Sequence, residues 1–444
     1  MEYATALGHH DIPADAEDSE ERAAGELRRH VDRELALEEP RGRPGDRREC
    51  DEEPAAPVLG CEIGHGPESR GSLGAMLPER SEVVVVGGGV MGAAALHYLA
   101  ELGCREPVLL ERDTLSSGST GHCAGGVRTL FSDELNTRVG VESIARLERF
   151  EAEVGQKLDL RLWGYLFLLD DATDVARFEG DLALQEQLGL ETCMIAPAEA
   201  RGIVPQLETG DVLAGVWCPR AGYVTPDLVV QGYARRAAER GAHIEQSCAA
   251  VRILVEDGQV AGVETARGTI RTERVILTAG VWSAELAATA GFDLPVTRER
   301  RFMFFTEDAP AFPRELPLVI DFSSGFYVHR EGAALAFGGR EQSLEELAPV
   351  AARRLPALAE LGVRSNWWGY YELSPDRNAL VGTAASPAGL VYATGFSGHG
   401  FQQGPVIGEH LAELALGRTP TFDLASFSVD RFAGGGVRVE LNVV

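Results

Sequence analysis

The chain has 444 residues, of which 45% are hydrophobic and 25% charged, a composition typical of a globular protein with two or three structural units. Its 68 acidic and 41 basic residues give a net charge of −27, which argues against nucleic acid or an anionic membrane as a partner. Lys157 is the single lysine in the sequence, so a Schiff-base lysine is excluded at every other position.

The first 75 residues have a composition that disfavours folding. They carry 19 acidic and 9 basic residues, and few of them are Leu, Ile or Val. So little apolar surface cannot offset the loss of chain entropy, and we predict a disordered acidic tail over residues 1–75. This segment also lacks the basic start and apolar run of a secretory signal.

The cysteines carry information about metal binding and location. The seven cysteines of the chain show no C-x-x-C spacing, which argues against a disulfide framework and against a structural zinc site. We therefore expect reduced thiols, a cytoplasmic protein and no metal ligand set. The most apolar stretch, residues 83–100, is interrupted by glycines, so it predicts a strand, a loop and a helix rather than a membrane span.

A strand, a glycine turn and a helix follow the tail. Residues 82–86 are a β-branched apolar run, typical of a buried parallel strand. Gly87, Gly89 and Gly92 have the G-x-G-x-x-G spacing that brings the backbone close to a pyrophosphate at a helix start. A second apolar strand ends at Glu111, where this motif places a carboxylate for a ribose hydroxyl. This order predicts a dinucleotide site; the alternative is a glycine-rich turn that binds no ligand.

The next segment favours FAD over NAD. Residues 115–128 are rich in glycine and small side chains, and their backbone could wrap more of the pyrophosphate and the flavin. A simple nicotinamide-binding domain has no such segment after its second strand. Arg128 has two interpretations, because it could pair with a substrate carboxylate or with FAD phosphate or a neighbouring Glu. The candidate FAD contacts of this segment are Gly118, Ser119, Thr120, His122, Gly125 and Gly126.

The remaining pattern predicts an α/β fold with an α+β cap. We expect a strand at 162–169, a helix at 228–240, and a three-stranded meander over 243–272 with a hairpin turn at Asp257-Gly258. Residues 275–279 and 390–394 should return to the nucleotide-binding sheet, whereas 301–307 and 326–339 suit antiparallel strands of the cap. A helix is expected over 405–416, with Pro405 in its first turn.

Several blocks in this order resemble one known family. They are the glycine motif with Glu111 and Arg112, the segment from Gly118 to Arg128, and residues 222–226, 275–283, 374–382 and 393–405. Together they resemble the FAD-dependent oxidoreductases of the D-amino-acid oxidase/sarcosine oxidase superfamily. Residues 366–371, 395–405 and 426–432 look most like the branch that holds sarcosine oxidase β-subunit-like proteins and the FAD-dependent oxidoreductase domain-containing protein linked to complex I assembly.

The resemblance implies a domain plan and a set of site residues. It implies a Rossmann-like FAD-binding domain of glutathione-reductase type over 81–160, 226–292 and 366–432, a substrate domain over 161–225 and 293–365, and a C-terminal tail over 433–444. The expected catalytic or substrate contacts are His399, Tyr327, Arg128 and Arg330, with His329 and Tyr370 or Tyr371 as further candidates. The further expected FAD contacts are Val90, Met91, Arg112, Val251, Gly280, Trp282, Gly395, Phe396, Ser397, Gly398, His399, Gly400, Phe401 and Gln402.

Three positions qualify what the resemblance implies. His122 stands where some relatives attach FAD covalently, and the alternative is a non-covalent contact. Residues 369–372 end in Glu372 where many amino-acid oxidases of the superfamily carry an arginine for the substrate carboxylate. Lys157 is poorly placed to be the lysine that fast-reacting oxidases hold over the flavin.

The expected function is FAD-dependent oxidation of a secondary amine or an (N-methyl) amino acid to an imine, by hydride transfer to flavin N5. We expect a small amine or amino-acid substrate, oxygen or a protein as electron acceptor, and His399 as a positioning residue rather than a base. The alternatives are a flavin-bearing assembly or scaffold protein of a respiratory complex and one subunit of a hetero-oligomeric amine dehydrogenase.

Overall fold

The computed structural model describes residues 76–433 and 439–443. The tail predicted over 1–75 therefore lies outside the described residues. The strands are β1 Val84–Val86, β2 Val108–Leu110, β3 Gly126–Val127, β4 Tyr165–Leu169, β5 Cys193–Ile195, β6 Ala214–Cys218, β7 Gly222–Tyr223, β8 His243–Glu245, β9 Ala250–Glu256, β10 Gln259–Thr265, β11 Gly268–Arg271, β12 Val275–Leu277, β13 Thr297–Thr306, β14 Leu318–Asp321, β15 Tyr327–Glu331, β16 Ala334–Gly338, β17 Val363–Leu373, β18 Leu380–Thr383 and β19 Leu390–Thr394. The helices are α1 Val90–Glu101, α2 Glu134–Val154, α3 Ala172–Gln187, α4 Pro197–Ile203, α5 Pro226–Glu239, α6 Ser283–Thr289, α7 Leu344–Arg354 and α8 Gly400–Ala415.

A six-stranded sheet with the order β18-β19-β12-β1-β2-β8 forms the first half of the molecule. Its pairs are parallel except β18 with β19. The central strand β1 is a run of valines buried on both faces, as its composition predicts. The three-stranded sheet β9-β10-β11 is separate, and the Asp257-Gly258 turn joins β9 to β10. The meander predicted over 243–272 is wrong at residues 243–245, because β8 pairs with β2 and so belongs to the six-stranded sheet.

An eight-stranded sheet forms the second half, with the order β17-β13-β16-β15-β14-β4-β6-β5. All its pairs are antiparallel except β14 with β4. The predicted α/β fold with an interleaved substrate sheet is confirmed, since the chain enters the first sheet, leaves it for this one and returns. Strand β17 spans the domain boundary that the sequence suggested near residue 366.

Helices α1 and α8 pack closely against each other and so bring two helix starts together. A Cβ atom on Gly408 would lie 2.3 Å from Ala94 Cβ, and one on Gly404 would lie 2.6 Å from Val90 Cγ2. Each helix follows a parallel strand of the six-stranded sheet, so both begin at the carboxyl edge of that sheet, where α/β proteins bind ligands.

Helix α8 begins earlier than its sequence suggests. The expectation of a start at Pro405 is wrong, because the helix begins at Gly400 and Pro405 lies one turn inside it. No helix of the described residues is both long enough and apolar enough to cross a bilayer.

Residues 439–443 do not behave as a free tail. Glu440 and Asn442 are almost fully buried, and the Glu440 backbone N–H donates to Asp376 O at 3.0 Å. The Glu440 carboxylate accepts from Ser132 Oγ at 2.8 Å, and Asn442 Nδ2 donates to Asp181 Oδ2 at 3.0 Å. This segment, which we call the C-terminal strap (439–443), is therefore held by contacts to distant parts of the chain.

Candidate active site

The glycine turn after β1 is closed by contacts that leave no room for larger residues. Gly87 has φ +110°, and a Cβ atom there would lie 2.3 Å from Thr278 O. A Cβ atom on Gly92 would lie 1.8 Å from Gly87 O. Both glycines are therefore required by the packing of the turn on α1 and on the neighbouring strand β12.

Glu111 is oriented by the same turn. Its Oε2 accepts from the Gly88 N–H at 2.7 Å and its Oε1 accepts from the Asp113 N–H at 2.8 Å. Each oxygen keeps a lone pair, so the carboxylate can still accept a hydrogen bond from a ribose hydroxyl.

Val251, another predicted FAD contact, lies on β9 shortly after Cys248. The Cys248 N–H donates to Glu111 O at 2.8 Å, and the side chain of Val251 is 54% exposed.

The loop between β2 and β3 reaches the start of α1. Thr120 Oγ1 accepts from the Val90 N–H at 3.2 Å, and Ser119 Oγ donates to Tyr370 O at 2.6 Å. The N-cap residue of α1 is Gly89, which offers no side-chain cap, and Met91 follows Val90 in the first turn. An uncapped helix start beside a glycine turn fits the phosphates of a dinucleotide.

Arg112 and Trp282 meet although 170 residues separate them. The guanidinium carbon of Arg112 lies 3.8 Å from the centroid of the Trp282 ring, a cation–π contact. Trp282 ends the 3-10 helix that begins at Gly280, and its ring packs edge-on against Tyr370. The structure thus brings both predicted residues to the edge where Glu111 lies.

His122 packs against β17 through its ring. Its Nδ1 lies 2.9 Å from Gly118 O, and the ring is edge-on to Trp367 at 6.0 Å. A Cβ atom on Gly369 would lie 2.9 Å from His122 Cβ. The glycine at 369 therefore makes room for this histidine.

Two predicted glycine contacts follow His122 in the chain. Gly125 has φ +65°, and Gly126 of β3 pairs with Tyr223 of β7.

A second glycine turn leads from β19 into α8. Gly395, Ser397 and Gly398 all have positive φ, and Ser397 is the one of these with a Cβ atom. A Cβ atom on Gly398 would lie 2.7 Å from the Tyr371 ring. The N-cap residue of α8, His399, makes no side-chain cap hydrogen bond. The start of α8 is therefore a second place where backbone N–H groups can meet an anion. The predicted FAD contacts on this turn and on the first turn of α8 are Gly395, Phe396, Ser397, Gly398, His399, Gly400, Phe401 and Gln402.

Arg128 and His399 form a buried pair next to that turn. Arg128 Nη2 lies 3.0 Å from His399 Nε2, and the Arg128 backbone N–H donates to Gln402 Oε1 at 2.7 Å. Burial, followed by the charge of Arg128, holds the pKa of His399 well below its usual value. The imidazole is therefore neutral and accepts a hydrogen bond from the guanidinium, which stays charged.

The C-terminal strap lies over this pair. Arg128 Nη2 donates to Asn442 O at 2.6 Å, and Arg128 Nη1 donates to Leu130 O. Burial raises the pKa of the strap residue Glu440 to about 7. A cavity of about 410 Å³ borders the strap and is lined by Glu299, Arg301, Arg340, Arg377, Val439, Glu440, Leu441 and Val443.

Tyrosines of the eight-stranded sheet form a further wall of the site. Tyr327 packs against the hydrophobic cluster that contains Tyr165, and the guanidinium of Arg301 lies 5.1 Å from the Tyr371 ring centroid. Burial raises the pKa of Tyr327 well above its usual value, so its phenol is neutral. This wall is therefore aromatic, and its charged groups are Arg301 and Glu299, which form an ion pair.

Arg330 and His329 do not join the cluster. Arg330 donates to four backbone carbonyl oxygens, those of Ala309, Phe312, Pro313 and Ala333. Because its donors are used in this way, we correct the expected substrate contact to a structural one. His329 packs on Tyr223, with ring centroids 4.7 Å apart, and its Nδ1 lies 2.9 Å from Arg330 O.

Sequence reasoning missed several residues of the site. The strap residues Glu440 and Asn442 carried no motif, and they reach Arg128 and Ser132 only through the tertiary fold. Glu372 was noted only as part of the stretch 369–372, which lacks the expected arginine, yet its Oε2 lies 2.9 Å from Thr394 Oγ1. Its place between Tyr371 and the Ser374-Pro375-Asp376 block was a signal that could have identified it.

Comparisons with known proteins agree with this geometry. Residues 82–414 match the family model described as DAO, FAD dependent oxidoreductase. The chain is 30% identical to FAD-dependent oxidoreductase domain-containing protein 1 of Bos taurus over 81% of this chain and 86% of that protein. L-proline dehydrogenase from P. horikoshii has a similar structure, with a TM-score of 0.75 at 31% identity, covering 82% of this chain and all of that one.

A further relative is longer than this chain. Human mitochondrial sarcosine dehydrogenase is 29% identical over 388 residues, which make up 80% of this chain and 42% of that protein. The chain therefore spans less than half the length of this relative.

Proposed function

The chain belongs to the DAO family of FAD-dependent oxidoreductases, and from this premise we propose that it oxidises a secondary amine or an N-methylated amino acid to an imine. Relatives named for sarcosine and proline, which are both secondary amino acids, support this substrate class. When bound, FAD supplies the chemistry by accepting a hydride from the carbon next to the nitrogen. The remaining steps fall to side chains of the chain itself.

The buried guanidinium of Arg128 carries the proposal. Among the described residues it donates to two carbonyl oxygens and to neutral His399, and it forms no direct ion pair with a carboxylate. Burial lowers the pKa of Arg128, and the charge of the strap residue Glu440 opposes this from beyond ion-pair distance. A buried cation is costly unless an anion accompanies it. We therefore assign Arg128 to the carboxylate of an amino-acid substrate, in place of the arginine that is absent from residues 369–372. The C-terminal strap must then yield its contact at Asn442 O when substrate binds.

The other side chains orient the substrate and exclude water. His399 fixes the direction of the Arg128 guanidinium and, being neutral, adds no charge next to the reacting amine. The aromatic wall with Tyr327 and Tyr371 packs against the apolar part of the substrate. Such a wall favours the neutral amine, the form that can lose a hydride, over the ammonium ion.

The electron acceptor in this proposal is oxygen or a redox protein. Lys157 is exposed on the turn after α2, so it does not supply the lysine typical of fast-reacting oxidases. This favours a protein acceptor. The five described cysteines are free, in keeping with the proposed cytoplasmic location.

A second candidate is a flavin-bearing assembly protein or a subunit of a larger amine dehydrogenase. The match spans 86% of FAD-dependent oxidoreductase domain-containing protein 1, which favours the assembly protein. It spans 42% of sarcosine dehydrogenase, which favours a subunit of a larger enzyme. Both predict normal flavin content without reduction by a simple amine.

Anaerobic bleaching of the bound flavin tests the proposal. We expect sarcosine, proline or dimethylglycine to bleach it, and the same amines without the carboxylate, which are dimethylamine, pyrrolidine and trimethylamine, to bleach it far more slowly. Arg128→Met should retain FAD and remove this preference. The preference itself should be about 10- to 150-fold in the rate of bleaching, the factor that one hydrogen bond to a charged group supplies. Arg301→Met is the matched control. The proposal fails if no amine bleaches the flavin, and the assignment to Arg128 fails if only Arg301→Met removes the preference.

A further inference from the structure

Glu372 lies between the two glycine turns of the site. It is the penultimate residue of β17, and its backbone oxygen accepts from the Ser397 N–H at 2.8 Å. The backbone N–H groups of Gly395 and Phe396 face its carboxyl group and act to lower its pKa. Glu372 therefore holds the turn that leads into α8.

Thr394 connects the same carboxyl group to the other turn. Its Oγ1 lies 2.9 Å from Glu372 Oε2 and 3.0 Å from Gly280 O. A hydroxyl group has one proton, so Thr394 can donate to only one of these two acceptors. Both hydrogen bonds form together only if Glu372 is protonated, donates to Thr394, and leaves the threonine proton for Gly280 O.

The surroundings of Glu372 favour the protonated form. Burial raises its pKa to about 7, and Thr394 and the backbone N–H groups of Gly395 and Phe396 oppose this only in part. The charged groups on adjacent elements make contacts elsewhere. Arg298, which pairs with Glu372 across β13 and β17, has its Nη1 atom 3.7 Å from Glu285 Oε1 of α6. The guanidinium of Arg112 makes the cation–π contact with the Trp282 ring. Within the described part of the chain, no cation forms an ion pair with this carboxyl group.

We propose that Glu372 is a positioning residue that ties the Gly280 turn to the Gly395 turn through a proton shared with Thr394, and that loss of this proton weakens the binding of FAD. Both turns follow parallel strands of the six-stranded sheet, and both belong to the predicted FAD contacts. An ionised Glu372 takes the Thr394 proton away from Gly280 O and adds a negative charge beside a dianionic ligand. The proposal rests on the FAD site of the proposed function and not on its substrate, so failure to oxidise amines would leave it intact.

FAD release measures this directly. Holoprotein is diluted at a series of pH values from 6 to 8.5, and the fluorescence of released flavin gives the dissociation constant. For the wild-type protein we expect the constant to rise above pH 7, by up to about tenfold per pH unit. Glu372→Gln keeps a donor and an acceptor without a charge, so its affinity should match the low-pH wild type at every pH. Thr394→Val removes the link and should weaken FAD binding already at pH 6.

Glu331→Gln is the matched control, because Glu331 is a carboxyl group on β15, outside the site, whose pKa is also raised by burial. It should keep the wild-type pH dependence. A dissociation constant that does not change with pH in the wild type, or a pH dependence that survives in Glu372→Gln, would overturn the proposal.

A second measurement does not require FAD to dissociate. The infrared carbonyl band of a protonated carboxyl group should fade in the wild-type apoprotein as the pH rises through 7, and in the holoprotein only at higher pH, because bound FAD favours the protonated form. The part of this band that belongs to Glu372 should be missing in Glu372→Gln and present in Glu331→Gln. If the band of Glu331→Gln equals that of the double variant, Glu372 holds no proton and the proposal is wrong.

Discussion

The Nη2 atom of Arg128 lies 3.0 Å from the Nε2 atom of His399, so a permanent cation donates a hydrogen bond to a neutral imidazole inside the protein. Protonation of His399 would place two positive charges at this distance and remove the only acceptor on that nitrogen. The pair therefore has a fixed charge state, with the positive charge on Arg128 and none on His399.

The first prediction concerns His399 and pH. Since its pKa lies well below the usual value, the imidazole stays neutral at and above neutral pH, and flavin reduction should show no ionisation near pH 6.5 from this residue. His399→Phe should raise KM for a carboxylate substrate about tenfold, because Arg128 loses one oriented contact, with little change in kcat. Stopped-flow reduction at several pH values measures both. A loss of kcat above a hundredfold, together with loss of a pH limb, would show that His399 is a base.

The second prediction concerns the link between His122 and FAD. Nδ1 of His122 already lies at hydrogen-bond distance from Gly118 O, and the ring is held against Trp367. We therefore expect a non-covalent contact, so acid precipitation should release yellow flavin into the supernatant. A coloured pellet that becomes colourless in His122→Asn would show a covalent bond instead.

The third prediction concerns the glycine turn. Gly92→Ala places a Cβ atom 1.8 Å from Gly87 O, so the turn must move and FAD should be lost. Gly202→Ala is the control: it lies on α4 with no atom within 4 Å of the added Cβ, and it should stabilise the protein by up to about 1 kcal/mol. Flavin content and thermal unfolding distinguish the two. Full flavin content in Gly92→Ala would contradict the expected role of the turn.

The fourth prediction concerns a buried ion pair in the second half of the molecule. Arg354 and Asp321 are both fully buried and lie 3.0 Å apart. Asp321→Asn should cost about 1.5–3 kcal/mol, because the buried Arg354 loses one charged partner and keeps the partly exposed Asp211 at 2.7 Å. Arg364 and Asp308 form an exposed ion pair that is also 3.0 Å apart. Asp308→Asn should lower the free energy of unfolding by less than about 1 kcal/mol. Urea unfolding compares the two, and equal losses would contradict the argument from burial.

The fifth prediction concerns the C-terminal strap. Glu440→Ala removes the acceptor of the Ser132 side chain and backbone, so the strap should leave Arg128 more often. We expect faster hydrogen exchange at Asn442 and a lower KM for amino-acid substrates, since substrate and strap compete for one guanidinium. Val439→Ser, at an exposed strap residue, is the control and should change neither quantity. Faster exchange without a change in KM would show that the strap does not restrict the site.

The sequence by itself determined the nucleotide half of the site. The strand, the turn of Gly87, Gly89 and Gly92, and Glu111 lie within 30 residues, and their spacing reflects local backbone geometry that neighbouring residues fix. The order of the later blocks likewise predicted the return of β12 and β19 to one sheet, which the structure confirms.

Only the tertiary structure decided the substrate half. Arg128, His399 and Asn442 come from three distant segments, and no local pattern specifies that a carbonyl from the C-terminal strap meets a buried guanidinium. The same holds for Glu372, whose proton matters because the fold places it beside Thr394 in a partly buried position. Burial and long-range contacts set charge states and partners, and a linear sequence carries neither until the chain has folded.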